Sequence, residues 1–155
     1  MDAEVLQSPS VEEIVSQFKA HCPCVEVTKT ETRRVYAKVP SENIFKVCQF
    51  IHDNLTYEHC STVIGVDYID HLTVVYHLTN YYSGVMIELS ADVPSEDPHI
   101  DSVTPIWQGA NWHERETWEL FGIVFDNHPR LERLLTPKTY EFFPFRKSYK
   151  RRGWE

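Results

Sequence analysis

Glycine is scarce, with five residues in a chain of 155. None falls in Gly-x-Gly-x-x-Gly or a Walker pattern, so the backbone cradle for phosphates is missing. Nicotinamide, flavin or nucleotide binding by this chain alone is therefore not expected. Cysteine is also sparse: Cys22, Cys24, Cys48 and Cys60. Their spacings ligate no iron–sulfur cluster. Cys22-Pro23-Cys24 beside His21 invites a zinc reading, completed by Cys48, His52, His59 or Cys60. Structural zinc sites use wider Cys spacing and a matching second half. Small buried thiols at a helix-to-strand turn are the expectation. There is no Gly-x-Ser-x-Gly nucleophile turn. No apolar run approaches the ~20 residues of a membrane span, and the first nine residues lack the basic and apolar regions of a signal peptide. These absences predict a cytoplasmic chain with reduced thiols.

What is present is an ordinary globular composition, 42% hydrophobic and 13% aromatic, long enough to bury about two-thirds of its unfolded surface in one domain. The net charge of −8 conceals an asymmetry. From Arg130 to Glu155 there are eight basic and three acidic residues, against seven basic and twenty acidic before them. A basic tail on an acidic body suggests an acidic protein, nucleic acid or anionic lipid partner. Leu131, Leu134, Leu135, Tyr140, Phe142, Phe143, Phe145, Tyr149 and Trp154 lie in the same tail, and a solvated linker has no use for them. Pro137 and Pro144 prevent one long helix there. The tail is expected to be a docking arm, loosely held alone and ordered on a partner.

The body reads as alternating patterns. Ser10-Val-Glu-Glu13 is a capping box, and Val11, Ile14, Val15 and Phe18 form one helical stripe. Val25–Lys29 and Arg33–Val39 suggest two strands; Ile44, Val47, Cys48, Ile51 and Leu55 fall at helical spacing after Pro40-Ser41. Alternation then predicts strands over 62–68, 72–78 and 81–89, with short connections favouring antiparallel pairing. His71 and His77 read as structural histidines. Residues 91–110, with Pro94, Pro98 and Pro105, read as a loop around the sheet edge. The order predicts an α+β fold: helices packed on one face of a mainly antiparallel sheet, followed by an extended C-terminal docking tail. The domain covers 1–128 and the arm 129–155.

The densest stretch runs from Trp112 to Pro129. Asn111 as N-cap with Glu114 reaching back predicts a helix from Trp112, and Gly122 stands where a left-handed residue stops it. Arg115 and Glu119 are one turn apart and can pair; Trp118 and Phe121 share a face. Ile123–Phe125 reads as a short buried strand, and Asp126–Pro129 as a turn. A core helix with its charges in water is the plain alternative to an interface helix. Glu114 and Glu116 point ~200° apart on a helix and make a poor carboxylate dyad. His113 with Glu116 could be a ligand pair, but nothing supplies a third partner. No catalytic, cofactor-binding or metal-ligating residue is expected.

Several elements in order carry a resemblance: Trp107-x-x-Ala110, Trp112, Glu114-Arg115-Glu116, Phe121-Gly122-Ile123-Val124-Phe125, His128-Pro129 and Pro144-Phe145-Arg146-Lys147. Together they resemble the signature of the cluster-free thirty-kilodalton subunit of the complex I peripheral arm. The chain departs at Glu119-Leu120 (an acidic–methionine pair in the family), Glu132-Arg133 (Arg-Arg) and Ser148 (Asp). The resemblance implies a structural subunit without a redox centre. It would clamp cluster-bearing subunits and a quinone-site subunit related to hydrogenase large subunits, on the cytoplasmic side of an energy-converting membrane. Iron–sulfur clusters and quinone would belong to those neighbours, with NADH or a reduced deazaflavin as donor. The implied partner-binding residues are Trp112, Glu114, Arg115, Glu116, Phe121 and Gly122 on the helix, then His128, Pro129, Arg133, Phe143, Phe145, Arg146 and Lys147. Arg146 suits a bidentate carboxylate contact, with Phe143 and Phe145 in flanking apolar pockets.

A membrane-bound hydrogenase subunit is a close variant. Two other classes compete. A nucleic-acid module would use the basic tail, although its Arg and Lys interleave with Phe and Leu in no recognisable RNA-binding pattern. A small metal-dependent enzyme is separable by elemental analysis.

Overall fold

Ser10 and Glu13 close the capping box read from the sequence. Glu13 N–H donates to Ser10 Oγ at 3.2 Å, and Ser10 N–H to Glu13 Oε2 at 2.7 Å. Helix α1 (Val11–His21) follows and buries Ile14 and Phe18. The computed structural model describes residues 6–151. Strands β1 (Glu26–Glu31) and β2 (Arg34–Lys38) form a hairpin. A 3-10 turn at Ser41–Asn43 leads into α2 (Ile44–Leu55), which buries Ile44, Val47, Cys48, Ile51 and Leu55. Burial of its Ile, Val and Leu side chains, at about 1.5–3 kcal/mol each, is what holds α2 in place.

Strands β3 (His59–Asp67), β4 (His71–Thr79) and β5 (Met86–Pro94) complete a five-stranded sheet of order β1-β2-β5-β4-β3. Three of its pairings are antiparallel, but β2 and β5 pair in parallel. Short connections do not dictate that pairing, because α2 and the β3–β4 hairpin lie between the two strands. Tyr57, Tyr76, Phe18, Leu78 and Ile87 are among the largest fully buried side chains, under the helices. Tyr57 OH donates to Val85 O at 3.1 Å.

Two expectations move. The strand placed over 81–89 starts only at Met86, because Asn80 captures the preceding segment as a turn. Its Oδ1 accepts Tyr82 N–H (2.7 Å) and Ser83 N–H (3.0 Å), while Nδ2 donates to Leu55 O and Thr56 O. The segment read as loop from 91 contains the rest of β5, burying Ala91 and Val93, and then β6 (His99–Asp101). Prolines at 94 and 98 hide this alternation. Helix α3 (Ala110–Phe121) packs on β3, and β7 (Val124–Asp126) then pairs with β6 in parallel. The rest of the described chain, from 127 to 151, has no regular element. Arg152 and Trp154, part of the proposed arm, lie outside the described residues.

Candidate functional site

Helix α3 begins two residues before the expected start and uses no side-chain cap. The preceding chain already winds in turns, with Trp107 N–H donating to Val103 O, Ala110 N–H to Trp107 O and Asn111 N–H to Gln108 O. The first helical N–H groups therefore need no Asn111 cap. Glu114, released from the capping role, points into the body and is 0% exposed. Its Oε2 accepts Ser102 Oγ–H at 2.5 Å and Thr104 Oγ1–H at 3.0 Å, and its Oε1 accepts Val103 N–H at 2.7 Å. Burial pushes its carboxyl up to about 7 against the downward pull of those donors.

His128 lies beside it, its Nε2 3.8 Å from Glu114 Oε2. The ring faces Asn111 O through Nε2 at 3.2 Å, and Nδ1 accepts Arg130 N–H at 3.0 Å. Both contacts are satisfied together only by the neutral ring protonated on Nε2. Burial lowers the histidine's pKa in the same sense. Glu114 and His128 are thus neighbours packed against one loop system, not an ion pair.

One turn further, Glu119 does not pair with Arg115 as the spacing suggested. It gathers a nest of successive donors: Leu134 N–H at 2.7 Å, Leu135 N–H at 3.0 Å, and the Thr136 amide and hydroxyl. Burial raises its pKa, but these donors outweigh it and leave the carboxyl below its usual range. Arg115 instead donates from Nε to Glu132 O at 2.9 Å and lies over the Trp112 ring at 5.3 Å. Arg133 donates to Thr136 Oγ1 and stacks over Trp118 and Tyr140. The middle of the helix is tied to the sheet by Thr117 Oγ1–H to Val63 O at 3.1 Å.

Gly122 ends α3 in the left-handed region at φ +78, as expected. A side chain there would also meet the Phe143 ring at 2.8 Å. Gly65 in β3 is the second close approach, with the Phe121 ring 2.7 Å from where a Cβ would stand. The tail returns over this end. Phe145 N–H donates to Leu120 O at 3.1 Å, Arg146 Nε to Phe121 O at 2.6 Å and Nη1 to Ser95 O at 3.2 Å, and Lys147 N–H to Asp67 Oδ2 at 2.7 Å.

This departs from a tail that is loosely held alone. The arm is pinned at 134–136 and at 145–147, because carboxylates and helix-end carbonyls of the body accept its donors. Arg146, expected to reach a partner's carboxylate, commits Nε and Nη1 to its own chain. Trp112, Phe142 and Phe145 remain exposed, as do Glu116, Pro129 and Lys147.

The cysteines are thiols without a ligand geometry. Burial pushes Cys22 up to about 11 and Cys60 up to about 12, and raises Cys48. Among the described residues no group of three or more His, Cys, Asp or Glu is placed to hold a metal ion. His71 contacts Asp70 and Asp92, and His77 contacts Glu88 at 3.1 Å, within the sheet's polar side. Sequence reasoning missed Ser102, Thr104 and Thr136, the hydroxyls that satisfy the buried carboxylates. The available signal was the rule that a buried acid needs donors, applied to the loops on either side of the helix.

Residues 37–155 match the family described as respiratory-chain NADH dehydrogenase, 30 Kd subunit. An NADH-quinone oxidoreductase subunit of Salinispora tropica is 38% identical over 138 residues, covering 85% of this chain and 56% of that protein. A subunit of the F(420)H(2) dehydrogenase of Methanosarcina mazei is 40% identical over 125 residues, covering 73% and 79%. The chain thus spans little more than half the length of the Salinispora relative. Among solved structures, a trypsin-resistant fragment of Nqo5 superposes with a TM-score of 0.67 at 27% identity, over 78% of this chain and 98% of the fragment. A chain of an archaeal membrane-bound sulfane sulfur reductase shares the fold, with a TM-score of 0.81 at 23% identity over 90% of this chain and 85% of that one.

Proposed function

Because the chain belongs to the respiratory-chain NADH dehydrogenase 30 kDa subunit family, we propose that it is a structural subunit of the peripheral arm of a complex I-type oxidoreductase. It carries no redox centre. It braces cluster-bearing subunits and the hydrogenase-large-subunit-like protein that forms the quinone site, on the cytoplasmic face of the membrane. Electrons pass from a soluble carrier through clusters in those neighbours to a quinone-type acceptor, with ion translocation. The chain touches the membrane only through the complex; no described helix is long and apolar enough to cross one.

One observation carries the reading: the signature helix uses its two buried carboxylates to hold backbone and hydroxyl donors of its own loops, Glu114 at 102–104 and Glu119 at 134–136. An acid engaged this way shapes a surface, and what that surface presents is Trp112, Arg115 and the aromatic tail. Buried acids that brace loops suit a scaffold. The donor is bound elsewhere in the assembly. The 40% identity to the F(420)H(2) dehydrogenase relative favours keeping a reduced deazaflavin beside NADH as the carrier. A nucleic-acid role draws less support, since Arg133 and Arg146 are engaged by Trp118, Thr136 and helix-end carbonyls.

The test is affinity purification of the native assembly through a tag on this chain, with identification of the accompanying chains. Cluster-bearing and hydrogenase-large-subunit-like chains in equal amount are expected. A chain recovered alone, or with nucleic acid, overturns the proposal.

A further inference from the structure

The β3–β4 hairpin closes on Tyr68, Ile69 and Asp70, and its middle residue combines two unfavourable features. Ile69 sits at φ +80, in the left-handed region that β-branched residues rarely adopt. It is also 74% exposed. Glycine or asparagine would hold that backbone with less strain.

Several contacts enforce the conformation. Asp67 Oδ1 accepts Ile69 N–H at 2.7 Å, Tyr68 N–H donates to His71 O at 3.0 Å, and Ser95 Oγ–H reaches Ile69 O at 3.4 Å. The other oxygen of Asp67 accepts Lys147 N–H, and Arg146 Nη1 donates to Ser95 O. The tail therefore buttresses the tip. Tyr68, 53% exposed, stacks on His71 with ring centroids 5.0 Å apart. A lone exposed isoleucine is ordinary, but one strained and clamped into solvent is an apolar knob prepared in advance.

Its rim sets the chemistry of what receives it. The Asp70 and Asp97 side chains are 80% and 88% exposed, each beside a histidine, and Glu96 is exposed next to Ser95. Of the nearby bases, Arg146 is engaged through its guanidinium by Ser95 O, whereas Lys147 is held by its backbone N–H and its ammonium is exposed. Three exposed carboxylates, Asp70, Glu96 and Asp97, outnumber the single exposed Lys147 ammonium, an excess that disfavours phosphate-bearing surfaces such as lipid headgroups and nucleic acid and attracts Lys and Arg.

We propose that the tip inserts into an apolar pocket rimmed by basic side chains on a neighbouring subunit. This interface adjoins the tail at Arg146 and Lys147 and adds an acidic-rimmed apolar knob to the tail's basic surface. The proposal rests on reading the chain as one subunit of a multi-chain complex.

The experiment uses the intact complex with a photoreactive phenylalanine analogue at position 69. Cross-links to one neighbouring chain, at apolar residues beside Lys or Arg, are expected. Ile69→Asn should leave the melting temperature of the free chain unchanged or raised, because asparagine tolerates the left-handed backbone. It should nevertheless speed loss of the chain from the complex in salt washes at least tenfold, as should Asp70→Lys. A complex holding the chain at full stoichiometry, in which position 69 cross-links to nothing or to lipid, overturns the tip interface and leaves the reading of the chain as a structural subunit standing. A chain found in no complex overturns both. The cross-link decides even if Ile69→Asn fails to fold.

Discussion

Replacing Glu114 with glutamine asks whether the helix's first buried carboxylate is a titrating group at neutral pH. The folded carboxyl is held up to about 7 against an ordinary value of 4.5. The folded state therefore binds more protons than the unfolded one between those values. Stability from this group is full below the unfolded value and is lost as pH rises through the folded one. A displacement of that size amounts to about 3 kcal/mol in all, most of it between pH 5 and pH 8. For a domain of this size that corresponds to roughly 6–12 °C of melting temperature. Glutamine keeps the shape, accepts from Val103 N–H, and can donate to the Ser102 and Thr104 hydroxyls. His128 works in the opposite direction, since its lowered pKa removes stability as pH falls, so the difference between wild type and Glu114→Gln isolates the carboxyl. Thermal melts followed by circular dichroism across pH 5–8 measure it. The wild type should lose stability relative to the variant as pH rises. Parallel curves would refute a desolvated, titrating Glu114.

Three further outcomes follow from the same helix. Glu119→Gln should free at least one of the three amide donors at 134–136, costing about 1–3 kcal/mol, and raise proteolysis in that loop. Because Glu119's pKa is lowered, the wild-type advantage should shrink as pH falls below the ordinary carboxylate range. Arg115→Ala removes a half-exposed side chain from Trp112 and Glu132 O, so the free chain should lose no more than about 1 kcal/mol while the yield of assembled complex drops; a complex at wild-type level with far slower turnover would mean a chemical role. Gly122→Ala should cost at least about 1–2 kcal/mol for the left-handed backbone and displace Phe143, read as faster tryptic release of the tail.

The sequence shows the end of the signature helix more clearly than its start. Gly122 stops it because a positive φ is a local requirement visible in the residue itself. Its beginning is hidden because the turns after Val103 satisfy the first amides, and no side-chain pattern announces that. The i, i+4 spacing of Arg115 and Glu119 offers a pair, but a carboxylate facing three successive backbone N–H groups is better solvated by them than by one surface guanidinium. Those donors arrive from 15 to 17 residues downstream, a distance that periodicity does not reach. The same holds for the tail, whose aromatic content marks it for burial without revealing that Gly122 makes room for Phe143.

Hydroxyl-radical footprinting of the free chain and of the purified complex asks whether a preformed helix platform presents exposed aromatic groups to other subunits. Trp112, Phe142 and Phe145 are 64%, 50% and 59% exposed, whereas Tyr57 is buried. Strong oxidation of those three residues is expected in the free chain and their protection in the complex, with Tyr57 unreactive in both. Equal oxidation of Trp112, Phe142 and Phe145 in the two states would contradict it.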